Sequence, residues 1–96
     1  MNIDIETVRH VFCEVLSGKI TREDADRWAY SIIQQSEVGS LVFVPDSKRD
    51  SIWSGVMYLY GIDTMEGPGE YLHTDEDIEM AMLQKLSNSE GIEDRS

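Results

Sequence analysis

The sequence predicts an all-α fold: a small four-helix domain with an irregular extended segment between helices 2 and 3. Three observations carry that prediction. Apolar residues recur at three- and four-residue spacing in four separate stretches, the signature of one buried helix face. Two of those stretches open on threonine followed at once by acids, at Thr21 and Thr74, which is how a capped helix begins. Glycines stand where the stripes stop, at Gly18, Gly39 and Gly61.

In the first stretch Ile5, Val8, Val11, Phe12, Val15 and Leu16 form the stripe, and Gly18 stands at the position of a left-handed cap. Asp4 and Glu6 lie near its start, where the helix dipole favours acid; Asn2 or Asp4 can serve as N-cap. The second helix follows Thr21, with Glu23 and Asp24 in its first turn and Asp24 at the third position of a capping box. Its stripe is Ala25, Trp28, Ala29, Ile32 and Ile33. The connection through Gly18, Lys19 and Ile20 is short, so the two helices are expected to pack as an antiparallel hairpin.

Leu41-Val42-Phe43-Val44 is apolar by composition but has no recognisable partner strand, and reads as a buried extended linker ending at Pro45. The third helix is expected from Asp46 or Ser47 to Gly61, burying Ile52, Trp53, Val56, Met57 and Tyr60. Gly55 within it costs about 1 kcal/mol relative to alanine, which marks a close helix contact. Gly67-Pro68-Gly69 forbids a continued helix, and the last one starts after Thr74 with Ile78, Met82, Leu83 and Leu86 inward. Residues 1–87 are expected to form one helical domain and residues 88–96 a flexible C-terminal tail.

Ninety-six residues suit one domain, and the hydrophobic share of 41% can supply its core without staples. The lone Cys13 excludes an intramolecular disulfide and suits a reducing compartment. The start of the chain is acidic where a secretory signal is basic, and no stretch approaches the ~20 apolar residues a membrane-spanning helix needs. A cytoplasmic protein without a membrane partner is therefore expected.

The net charge is −11, from eight basic and nineteen acidic residues. That balance argues against direct nucleic-acid contact through phosphate neutralisation and towards a basic protein partner. The acids are also clustered: no Lys or Arg interrupts residues 63–79. The expected partner-binding residues are Asp63, Glu66, Glu70, Tyr71, His73, Asp75, Glu76, Asp77 and Glu79, with Leu72 and Tyr58 close to them in sequence. Rings anchor and carboxylates steer in such a face; the bland alternative is a solvated loop covering the core.

No catalytic, metal or cofactor site is expected. His10 and Cys13 are three apart and can share a helix face, but no orienting group or oxyanion donor is recognisable beside them. His73 with Asp75, Glu76 and Asp77 lacks the alternating ligands and central glycine of a calcium loop; the acids suit a first helical turn.

Three segments carry a resemblance: the run from Gly18 through Thr21 and Trp28 to Ala29, then Ile52-Trp53 with Tyr58-Leu59-Tyr60-Gly61-Ile62-Asp63, then Tyr71-Leu72-His73-Thr74 to Ile78. Over residues 5–85 the chain is similar to small acidic bacterial proteins encoded beside polymorphic toxins, including immunity proteins of contact-dependent growth inhibition. The resemblance implies a non-catalytic inhibitor that binds a cognate toxin domain, a basic nuclease, and blocks its substrate surface. The alternatives are a cytoplasmic adaptor or a nucleic-acid mimic that binds another basic protein. The oligomeric state is not legible.

Overall fold

Asp4 decides where the first helix begins. In the computed structural model, which describes residues 1–95 and places side chains at 1–65 and 67–86, its carboxylate accepts from the Thr7 amide at 2.8 Å and the Thr7 hydroxyl at 2.7 Å. Those bonds hold the Asp4 carboxyl below its usual range. Helix α1 (Ile5–Leu16) then buries Ile5, Val8, Val11, Phe12 and Val15, and Gly18 leaves it with φ +80°. Only glycine takes that backbone readily.

Helix α2 (Arg22–Glu37) starts on the complete capping box. The Asp24 amide donates to Thr21 Oγ1 at 3.0 Å, and the Thr21 amide returns to Asp24 Oδ2 at 3.2 Å. The Thr21 amide, with Arg27 beside it, holds the Asp24 carboxyl low. Ala25, Ala29 and Ile32 are buried, whereas Trp28 and Ile33 lie half-buried at the flank of the core.

The extended segment is present but not buried as expected, since Val42 and Val44 are exposed, and it has a partner that residue patterning does not reveal. Strand β1 (Asn2–Ile3) pairs in parallel with β2 (Val42–Phe43), Asn2 opposite Val42 and Ile3 opposite Phe43. Val42 N–H donates to the Met1 carbonyl at 2.7 Å and Val44 N–H to the Ile3 carbonyl at 2.9 Å. These bonds satisfy backbone groups that an unpaired linker would leave orphaned.

A 3₁₀ turn (Asp46–Lys48) leads into α3 (Arg49–Leu59), which buries Ile52, Gly55, Val56 and Leu59. Met57 and Tyr60, expected inside, are exposed. The helix has already ended at Tyr60, whose ψ of 113° is extended, and its ring stacks on Tyr30 at 6.2 Å. Beyond Gly61 the chain makes a hairpin of β3 (Met65–Gly67) and β4 (Glu70–Tyr71) around Pro68-Gly69. Helix α4 (Asp75–Arg95) buries Ile78, Ala81 and Leu86; Leu83, expected on that stripe, is exposed. The backbone of the segment expected as a tail continues this helix to Arg95, and Ser96 lies outside the described residues. The described residues thus form the all-α, four-helix arrangement expected, with the extended segment between α2 and α3.

Helices α1, α3 and α4 meet at Gly55. A Cβ there would lie 2.8 Å from Val8 Cγ1 and 3.0 Å from Leu86 Cδ2. Both neighbours are fully buried and belong to different helices, so neither has room to yield. Gly55→Ala is expected to lose about 1–3 kcal/mol by overpacking, partly offset by the better helix propensity of alanine. A denaturant midpoint equal to or above the parent's would refute that close approach.

Candidate functional site

The acidic stretch 63–79 lies across the hairpin and the first turn of α4, and a cation from α2 reaches into it. Arg22 is the first residue after the Thr21 cap, which points its side chain across to the hairpin. It pairs with Asp75 Oδ1 at 2.9 Å, donates to the His73 carbonyl, and lays its guanidinium over the Tyr71 ring 4.3 Å from the centroid. Only 13% of this side chain is exposed. Tyr71 in turn donates its hydroxyl to Glu23 Oε2 at 3.0 Å, and that carboxylate pushes the phenol above its usual range. The surrounding hollow, about 630 Å³, is lined by Arg22, Glu70, Tyr71, His73, Thr74, Asp75 and Glu76.

Beneath it, His73 leans on the Tyr58 ring at 4.9 Å, and Tyr58 stacks on Phe12 at 5.9 Å. The Tyr58 hydroxyl is buried and has no hydrogen-bond partner among the described residues. Burial raises its pKa, and the charge of Asp77 adds to the rise.

The structure therefore brings together Glu70, Tyr71, His73, Asp75 and Glu76 of the expected docking residues. It gives others local work. Asp77 closes a second capping box with Thr74, its carboxylate accepting from the Thr74 amide at 3.1 Å. Glu79 sits beside Glu76 and the exposed Met80 and Leu83 on an outer face of α4. Asp63 lies half-buried near Tyr71, and the Glu66 side chain lies outside the described residues. The face is thus less negative than its sequence implies, because Arg22 neutralises part of it from 53 residues away.

The remaining candidates are separate. His10 lies 3.2 Å from Glu14, and Cys13 Sγ is 4.0 Å from Met82 Sδ. Among the described residues no cluster of three or more His, Cys, Asp or Glu could hold a metal ion, and no helix is long and apolar enough to cross a membrane.

Another end of the molecule escapes a reading based on acid clusters. Phe43 on β2 meets Trp53 on α3 edge to face at 6.2 Å, and Arg49 lies over the Phe43 ring at 5.0 Å. A second hollow, about 200 Å³, is lined by Ser36, Phe43, Arg49, Asp50 and Trp53. The signal in the sequence is that residues 38–50 carry no net charge, with Lys48 and Arg49 balancing Asp46 and Asp50.

Comparison with known proteins gives the family of the chain. A family model described as YxzC DNA-binding protein matches residues 2–85. The uncharacterised protein YxzC of Bacillus subtilis (strain 168) is 30% identical over 64 residues, which are 67% of this chain and 47% of that protein. The chain thus spans about half the length of the curated relative it matches. No solved structure matches significantly. These matches overturn the resemblance to immunity proteins of contact-dependent growth inhibition, and with it the expected toxin-neutralising function and toxin partner. The family's description also runs against the exclusion of direct nucleic-acid contact. That exclusion came from the summed charge, which sets the distant field, whereas contact depends on the local surface.

Proposed function

The chain belongs to the YxzC DNA-binding protein family, and from that membership we propose that it is a cytoplasmic DNA-binding protein without chemistry of its own. The family match over residues 2–85 is the observation that carries this reading. The charge distribution limits how such binding can work. Every arginine with a described side chain is already held by a carboxylate: Arg9 by Glu6, Arg22 by Asp75, Arg27 by Asp24, Arg49 by Asp46. A broad phosphate-neutralising footprint is therefore not built into this surface. Contact with DNA has to be local and to draw on bases more than on backbone charge.

Fluorescence anisotropy with labelled single-stranded and duplex oligonucleotides tests this. Binding is expected to weaken roughly tenfold or less between ~50 and ~200 mM salt, against 10³–10⁵ for a protein with six to ten phosphate contacts. No binding to either form at low salt would sink the proposal.

A second reading is favoured by the exposed Glu70 and Glu76 around the larger hollow. Carboxylates flanking a tyrosine suit a basic protein, so the chain would act as a nucleic-acid mimic that takes the DNA site of a basic DNA-binding protein. Competition with DNA for a purified basic DNA-binding protein, with no DNA-bound species of this chain itself, would favour it.

A further inference from the structure

Resting on the DNA-binding reading, we propose that the end formed by β2, the 3₁₀ turn and the start of α3 takes an unpaired DNA base, stacked against Phe43 and Trp53, with Arg49 and Lys48 beside the phosphates. The larger hollow suits DNA poorly, because Glu70, Asp75 and Glu76 line it and would repel a phosphate. The end near Phe43 is where cations balance acids. Two rings meet there at 79° beside an open hollow of about 200 Å³, so one can offer its face and the other its edge to an incoming base.

Arg49 is suited to exchange. Its pair with Asp46 at 2.9 Å is exposed on both sides and so contributes little to stability. Its guanidinium already stacks on Phe43, an arrangement that can extend to a base or a phosphate. Asp50, on the rim, offers an acceptor to an exocyclic base amine. Phe43 is held by the β1–β2 pairing, which gives the ring a fixed platform.

The occupant is single-stranded, not duplex, DNA for two reasons. In a duplex the faces of the bases are covered by their neighbours, whereas stacking needs them open. A duplex also places twice the phosphate charge near a chain of net charge −11, which repels it.

Titrating the full chain with single-stranded oligo(dC), whose bases carry an exocyclic amine, and a duplex of mixed sequence, read by anisotropy and by tryptophan fluorescence, tests the assignment. The single strand is expected to bind more tightly and to quench tryptophan emission. Phe43→Leu and Trp53→Leu, checked for folding by circular dichroism, are expected to weaken binding at least about fivefold. Arg49→Gln, at an exposed position, gives a third reading should either ring variant unfold, and is expected to weaken binding as well. Duplex bound as tightly as single strand, or folded variants that bind like the parent, would overturn this surface while leaving DNA binding itself in place. No binding to either DNA would overturn both.

Discussion

Phe12→Ala is expected to cost about 3–5 kcal/mol, the largest single loss anticipated in this domain. The ring is fully buried on α1, stacks on Tyr58 at an interplanar angle of 20°, and its Cε2 lies 3.7 Å from where a Gly55 Cβ would sit. Truncation would open a cavity where α1 meets α3, and these two helices cannot close it without losing their own contacts. A domain of this size is held by roughly 5–15 kcal/mol, so the variant would be close to unfolding at physiological temperature. Urea denaturation followed by far-ultraviolet circular dichroism measures the loss directly. A cost under ~1.5 kcal/mol would mean the cavity collapses freely. Phe12→Leu should lose clearly less, because it keeps most of the buried volume.

Arg22→Ala is the second. One side chain joins the start of α2, the ring of β4 and the approach to α4, through Asp75, the His73 carbonyl and Tyr71. Asp75 is largely exposed, so solvent screening leaves the ion pair a small share of the effect. Most of the loss comes from the half-buried bond to the carbonyl and from the ring contact. Together they are expected to cost about 1–3 kcal/mol. Arg22→Lys should recover little, since one ammonium cannot fork to a carbonyl and a carboxylate while stacking flat on a ring. Amide hydrogen exchange is expected to quicken in residues 64–74 before it changes in α1. Parent-like exchange there in Arg22→Ala would refute the bracing role.

Helix periodicity and threonine caps made most of this architecture legible. The capping boxes at Thr21 and Thr74 and the stripe of α1 depend on residues within four positions of each other, the range at which sequence order reports space. The features that escaped depend on distant residues. Strand β1 is two residues long, too short for its exposed Asn2 and buried Ile3 to stand out as a strand pattern, so the partner of Val42–Phe43 is invisible until the chain is folded. The same holds for Arg22, which reads as one more residue of a capped first turn yet tempers the charge around Asp75. Tyr60 and Leu83 match the helical period but are exposed, because one lies past its helix end and the other on the outer side of α4. The candidate site divides in the same way. Glu70, Tyr71, His73, Asp75 and Glu76 do converge, as their proximity in sequence suggested. Phe43 and Trp53 sit ten positions apart on different elements, and no spacing rule brings them together.

The β1–β2 pairing also bears on how the molecule assembles. Joining residues 2–3 to 42–43 closes a loop of about forty residues, an entropic cost on the order of 3 kcal/mol that a few hydrogen bonds offset only narrowly. Once α1 and α2 have docked, their ends already lie close and most of that cost has been met. The strand pair is thus the expected final step of folding and the first contact to open, and Phe43, carried on β2, acquires its fixed orientation only at that last stage.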